Sequence, residues 1–349
     1  MPNDNPRIAV DAMGGDFGPH IVVPAAVQAA REGVSITLVG DEDSIRKELS
    51  LCSVADLDVS VVHASQVVEM EDKPADALRR KRDSSIQVAC RLVREGKADG
   101  VVSAGNSGAT VACGMFVLGR IKGVQRPALA SIIPTEKNPA VLIDVGANVD
   151  SKPNHLLQFG LMADVLARDV LNVENPTVGL LSIGEEEGKG NATVKESFDL
   201  FRSSNLNFIG NVEGRDIFTG DVDVIVCDGF VGNIALKLSE GLARSMNKIM
   251  KRELKSSLLS KLGAALSLGA FKRFKKVVDY AEYGGAPLLG LKGLAVVCHG
   301  KSNPKAMTNA IRMAATFVTN KAHEHLAAGL DAHRSLSNGA ASGEQSSAA

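Results

Sequence analysis

The chain has 349 residues, 45% of them hydrophobic, which is enough for one large core or two moderate ones. Aromatics are only 4%, Trp is absent and Gly numbers 34, the balance of an α/β protein whose buried sheet is edged by many tight turns. A net charge of −1 without an aromatic-plus-basic platform argues against nucleic acid as a partner, and five scattered cysteines with no C-x-x-C argue against a disulfide framework or a zinc site.

Apolar β-type runs are expected at 7 to 12, 34 to 40, 57 to 63, 99 to 104, 128 to 134, 140 to 145, 177 to 183, 206 to 211, 222 to 227 and 294 to 298. Helical spacing falls between them at Ile21 to Glu32, Ile86 to Glu95, Leu156 to Val170 and Asn191 to Phe201. This alternation predicts a mostly parallel, helix-covered sheet with right-handed crossovers. No linker divides the chain, so residues 1–330 are expected to form one catalytic domain, or two intertwined lobes. The first strand begins within about seven residues, with no signal-peptide pattern, and no run approaches the roughly 18 apolar residues of a membrane span. A cytoplasmic protein is the expectation.

Two segments depart from the pattern. Residues 251 to 276 carry eight basic side chains against Glu253, while Leu254, Leu258, Leu262 and Leu266 recur every four residues. That spacing predicts a basic amphipathic helix or helical hairpin, its leucines facing the core, a second subunit or an anionic membrane. The small, polar residues 331–349 predict a disordered tail.

Four Gly/Asn/Asp corners follow apolar runs: Asp11-Ala12-Met13-Gly14-Gly15-Asp16, Gly105-Asn106-Ser107-Gly108, Asp144-Val145-Gly146-Ala147-Asn148 and Asp228-Gly229-Phe230-Val231-Gly232-Asn233. Each is an ordinary turn composition, but a strand end that opens a helix presents free N–H groups and the positive end of the dipole, which suits an anion. In a parallel sheet the four would share one rim. Asp11, Gly14, Gly15, Asp16, Gly105, Asn106, Ser107, Gly108, Asp144 and Asn148 are therefore candidates for holding phosphate or substrate.

Gly184-Glu185-Glu186-Glu187-Gly188-Lys189-Gly190-Asn191 is not a Walker A loop, because Gly190 stands where Ser or Thr must meet magnesium. No dinucleotide fingerprint follows a strand either. What remains is a solvated acidic loop or a glycine loop that offers Lys189 to an anion, with Asn191 and Lys195 beside it. Asn233 is expected to cap a helix starting near Ile234 and can also donate to an oxyanion, while Asp228 closes the turn or orients a nucleophile. No Gly-x-Ser-x-Gly elbow occurs, and Cys113 and Cys227 read as small buried hydrophobes. A phosphate site without a nucleotide motif or a covalent nucleophile points to phosphate itself as a reactant.

Ile8-Ala9-Val10-Asp11-Ala12-Met13-Gly14-Gly15-Asp16 with Pro19 and Pro24 resembles the opening of the bacterial phosphate acyltransferases, the acyl-carrier-protein:phosphate transacylases of phospholipid synthesis. The likeness continues through Ser103 to Ala109, Asp144 to Asn148, Gly188 to Asn191, Phe208-Ile209-Gly210-Asn211-Val212-Glu213 and Asp228 to Asn233. It implies a three-layer αβα fold similar to phosphotransacetylases and isocitrate-type dehydrogenases, a homodimer, and peripheral attachment to the inner face of the membrane. The implied reaction moves a long-chain acyl group from acyl carrier protein to inorganic phosphate, and a membrane-bound acyl-phosphate acyltransferase consumes the product. The implied catalytic residues are Lys189, with Lys195 as the fallback, Asp228 and Asn233, and no metal or organic cofactor is expected. Three alternatives stay open: a phosphotransacetylase using short acyl-CoA, an isocitrate-type dehydrogenase, and a non-catalytic membrane or carrier-protein adaptor.

Overall fold

The computed structural model describes residues 5–332. Eleven strands among them form one sheet: β1 (Arg7–Asp11), β2 (Ser35–Gly40), β3 (Val59–His63), β4 (Gly100–Ser103), β5 (Ala128–Ile133), β6 (Ala140–Ile143), β7 (Thr177–Leu181), β8 (Asn207–Val212), β9 (Val224–Val226), β10 (Ala286–Leu289) and β11 (Leu294–Val297). The helices are α1 (Pro19–Ala30), α2 (Glu42–Leu49), α3 (Pro74–Arg80), α4 (Ser85–Arg94), α5 (Ser107–Cys113), α6 (Pro153–Leu171), α7 (Ala192–Arg202), α8 (Gly229–Leu254), α9 (Leu258–Leu266), α10 (Leu268–Val278) and α11 (Pro304–Thr319). A last helix covers residues 322–332. The expected tail therefore begins at least two residues later than the sequence pattern placed it, and its remainder, 333–349, lies outside the described residues.

The ten expected strands are present, and β10 is an addition. Helices cover both faces of the sheet, as expected of a three-layer α/β protein. Alternate strand residues separate the core. Ile8, Val10, Val102, Val141, Val178 and Val224 face a continuous layer built from α1, α6 and α11. On the opposite face, Ala9, Val101 and Ala295 meet α4 and α5, while Leu142 and Ile225 form a separate cluster near the start of α8. The period-2 alternation of each strand produces this division.

The strand order is β3-β2-β1-β4-β11-β10-β5-β6-β9-β7-β8. β1, β2, β3, β4 and β11 run parallel to one another, and β6, β7, β8 and β9 form a second parallel group. Between the groups, β10 is antiparallel to β11 and β5, and β5 is antiparallel to β6. The sheet is mostly parallel, yet its halves point in opposite directions. This corrects the expectation of a single shared rim. The Asp11 and Gly105 corners end strands of the first half, and the Asp144 and Asp228 corners end strands of the second half at the opposite edge.

The segment 251 to 276 is the end of α8 followed by the short helices α9 and α10. Buried residues on α8 are confined to Gly229 and Gly232, and none of α9 is buried. Leu258 and Leu266 are 85% and 83% exposed. The leucine stripe does not face the core of its own chain. Among the described residues no helix is long and apolar enough to cross a membrane.

Candidate active site

At the edge shared by β6, β9 and β7, three loops arise from neighbouring strands. Asp144 ends β6 fully buried, and its carboxylate accepts N–H bonds from Leu129 (3.0 Å), Gly146 (3.2 Å), Ala147 (3.0 Å) and Asn148 (2.7 Å), with the Asn148 amide donating a further one at 2.9 Å. Asn148 also donates to the Pro127 carbonyl at 2.8 Å. Burial pushes the Asp144 carboxyl above the ordinary carboxylate range, and the N–H donors pull it back only in part. Asp144 and Asn148 are thus the knot of this corner, with no atom left over for a ligand at Asp144.

The knot serves as a seat for α8. A Cβ at Gly232 would collide with the Asp144 carbonyl, and one at Gly229 with the Asn148 carbonyl, so both positions require glycine. Asp228 is the N-cap of α8, accepting from the N–H groups of Phe230 (2.9 Å) and Val231 (3.1 Å). The helix starts at Gly229 rather than near Ile234, so Asn233 lies inside the second turn and caps nothing. Its side chain rests against Gly146, whose φ is +132°, and makes no hydrogen bond among the described residues. A half-buried, uncommitted amide beside a helix N-terminus is free to donate to an oxyanion.

The third loop joins β7 to α7. Asn191 caps α7 through Val194 N–H at 2.9 Å, so its carbonyl oxygen is committed. The Lys189 stem crosses Gly184, where a Cβ would meet Lys189 Cγ at 3.0 Å. Among the described residues, neither the Lys189 nor the Lys195 ammonium has an anionic partner. β7 pairs with β9 through Leu180 and Val226, so the lysine loop and the Asp228 corner leave adjacent strands.

The remaining candidates lie at the opposite edge. Asp11 accepts from Ser103 Oγ at 2.7 Å and Met13 N–H at 3.2 Å, and burial, against these bonds, raises its pKa. Gly14 packs so closely on the Gly105 N–H that a Cβ would stand 2.6 Å away. Asn106 caps α5 through Ala109 N–H and donates to the Met70 and Asp72 carbonyls, both at 2.9 Å, so its side chain is committed to structure. Ser107 is exposed, Gly108 packs on Pro74, and the Asp16 N–H donates to the Gly300 carbonyl at 2.8 Å.

Sequence reasoning missed two contributors. Gly300-Lys301-Ser302 follows β11 and abuts the Gly14–Gly15 turn, with the buried Ser302 hydroxyl unpartnered among the described residues beside a void of about 10 Å³. Apolar strand, glycine, Asn303 cap and Pro304 helix start repeat the scheme of the other corners, so the signal was present. Asn211 of β8 reaches under the lysine loop, which no local pattern shows.

Residues 6–325 match the family described as Fatty acid synthesis protein. The chain is 64% identical over 331 residues to a phosphate acyltransferase of Nitratidesulfovibrio vulgaris (strain DP4), covering 94% of this chain and 96% of that one. It is 60% identical over 322 residues to a phosphate acyltransferase of Lawsonia intracellularis, covering 91% and 93%. In fold it is similar to a phosphotransacetylase from Streptococcus pyogenes, with a TM-score of 0.65 at 19% identity over 92% of this chain and 94% of that chain. The strand-end corners, read with these relatives, establish that the chain belongs to the phosphate acyltransferase family and is an acyltransferase enzyme.

Proposed function

We propose that this chain transfers a long-chain acyl group from the phosphopantetheine thioester of acyl carrier protein to inorganic phosphate, at the edge formed by β6, β9 and β7. The supporting observation is that α8 begins at the Asn233 corner and carries an exposed apolar stripe away from it. Phe230, Ile234, Leu238, Leu242 and Met246 repeat every four residues along a helix about 39 Å long. A long alkyl chain needs such a surface, whereas a short acyl-CoA does not.

Phosphate is substantially ionised near neutral pH, so the site needs orientation and charge screening more than a strong base. In this reading Lys189 draws phosphate to the edge and lessens its repulsion from the thioester, with Lys195 one turn further on. Phosphate oxygen attacks the thioester carbonyl. The Asn233 amide donates to the resulting tetrahedral oxyanion, and the carbon–sulfur bond breaks to release the carrier thiolate. Asp228, whose Oδ1 accepts two N–H groups, acts by holding the first turn of α8 and hence Asn233. The two edges lie at opposite ends of the strands of the sheet. Asp11, Gly14, Gly15, Asp16 and Gly105–Gly108 therefore stand as a separate anion-binding candidate.

We also assign a homodimer covering part of the α8 stripe, and attachment of the basic α9–α10 segment to anionic lipid, which would deliver acyl phosphate to a membrane-bound acyltransferase. The test is incubation with palmitoyl carrier protein or acetyl-CoA, with and without phosphate. Phosphate-dependent acyl phosphate and free carrier thiol support the reading. Turnover of acetyl-CoA alone would make the enzyme a short-chain phosphotransacetylase, and binding of carrier or vesicles without turnover would make it an adaptor.

A further inference from the structure

The stretch Phe208 to Glu213 has no part in the reaction as described above. β8 meets β7 with a register shift: Val178 faces Phe208 but Gly179 faces Gly210, leaving Ile209 as the extra residue of a bulge. Gly210 takes φ +105° there, a conformation that favours glycine. The bulge breaks the two-residue alternation, so Asn211 shares the face of Phe208, the face that α7 covers, while Val212 turns to the opposite cluster.

On that face Asn211 is 6% exposed, and its Nδ2 donates to the Glu186 carbonyl at 2.9 Å. Among the described residues its Oδ1 has no partner, nor does the buried Ser182 hydroxyl, which lies 3.0 Å from where a Gly190 Cβ would be. A valine would fill a strand here without leaving an orphaned acceptor, so the amide is explained by the loop above it. Two of the three acidic side chains of that loop are paired with arginines, Glu185 with Arg215 at 2.9 Å and Glu187 with Arg202 at 2.6 Å, while the Glu186 carboxylate lies over Gly184 beside the Lys189 stem. Among the described residues Lys189 is left without an ion pair in a run containing three glutamates.

We propose that Asn211 is a positioning residue for Lys189. It pins the loop backbone from below while Arg215 and Arg202 hold the flanking carboxylates away, so that the lysine charge is available to anionic phosphate. The proposal rests on the reaction assigned above.

The test compares wild type, Asn211→Ala, Lys189→Ala and the double variant in phosphate-dependent thiol release from palmitoyl carrier protein. Asn211→Ala should raise the phosphate KM about 10-fold with kcat within about 3-fold, and the double variant should be no worse than Lys189→Ala alone. Independent losses that multiply in the double variant overturn the proposal. Amide hydrogen exchange supplies a readout free of turnover: Asn211→Ala should speed exchange in residues 184–190 and leave the other strands unchanged. A uniform rise across the sheet would make Asn211 structural only. If Asn211→Ala fails to fold, the exposed Arg215→Gln takes its place. Freed of its partner, Glu185 should raise the phosphate KM about 3-fold at low salt, and the difference should close near 1 M salt, where the Debye length is about 3 Å. An unchanged KM at low salt overturns the proposal. Absence of phosphate-dependent turnover in the wild type, or an unimpaired Lys189→Ala, would instead refute the assigned reaction, and hydrogen exchange would still decide whether Asn211 holds the loop.

Discussion

Asp144→Asn changes a single atom at the centre of the β6 corner. Three N–H groups converge on Oδ1 and two on Oδ2, the latter pair at 2.7 and 2.9 Å. The best orientation of the amide keeps the first three and turns its own NH2 toward the two donors of Asn148. Each buried donor left without an acceptor costs about 1–3 kcal/mol, and relief from burying a charge offsets part of that, so we expect a net loss of about 3 kcal/mol. Urea unfolding followed by circular dichroism measures it directly. The pH dependence has a definite sign. Burial raises the folded-state pKa of Asp144 above its unfolded value, so the folded protein binds the proton more tightly. That contribution is fully present below the unfolded carboxylate value, near 3.9, and is lost as pH rises through the folded value. The wild type carries this term and the variant lacks it, so the gap between them should narrow with rising pH. A variant within about 1 kcal/mol of wild type, or a gap that widens with pH, refutes the argument.

Asn233→Ala should lower turnover about 10² to 10³, with stability held or slightly raised because alanine is the better helix former; Asp228→Ala should instead cost about 1 kcal/mol in thermal or urea unfolding through the lost cap. Near-normal turnover in Asn233→Ala would remove it from the chemistry. Ser107→Asp places a carboxylate at the Gly105 edge and should change the phosphate KM less than about 2-fold, whereas a rise beyond about 10-fold would move the reacting phosphate to that edge. Leu262→Glu, on a residue 59% exposed, should release the protein from anionic vesicles at low salt; flotation with sedimentation checks it, since a fall to monomers would assign the stripe to the subunit interface. Alkylation of the native protein near pH 8, mapped by mass spectrometry, should reach the half-buried Cys52 first. Burial pushes the Cys113 and Cys298 thiols up to about 12, and those of Cys90 and Cys227 well above the usual range, so rapid labelling at any of the four would contradict the packing.

The alternation of β-type runs and amphipathic helices was legible in the sequence because each depends on local periodicity, and so were the corners, because glycine and asparagine mark them. The direction of the sheet was not. It turns on the antiparallel pairing of β5 with β6, two strands that were expected singly but not as a hairpin, because β10, antiparallel to both β11 and β5, reverses the direction twice and leaves β5 parallel to β11. Reading every strand as parallel merged two edges into one. Asn233 was expected to cap the helix and Asp228 to close the turn or orient a nucleophile; the cap is Asp228, since the helix begins five residues earlier than its apolar spacing indicates. Asn211 stayed hidden because its role depends on a bulge and on a loop from another strand. The family resemblance supplied the reaction that these local signals left open.

The path of the chain through the sheet also sets a schedule for its synthesis. β4 ends at Ser103, yet its neighbour toward the middle of the sheet, β11, begins at Leu294. The intervening chain builds the whole second half before returning to close the first. At roughly 5–20 residues per second, the ribosome leaves the Val101–Ser103 edge without its partner for roughly 10–40 s. An unpaired strand edge built on Val101 and Val102 is a template for another nascent chain, so the interval before β11 emerges is when this protein most needs protection by a chaperone, and a transcript truncated ahead of β10 would yield an aggregating fragment rather than a smaller enzyme.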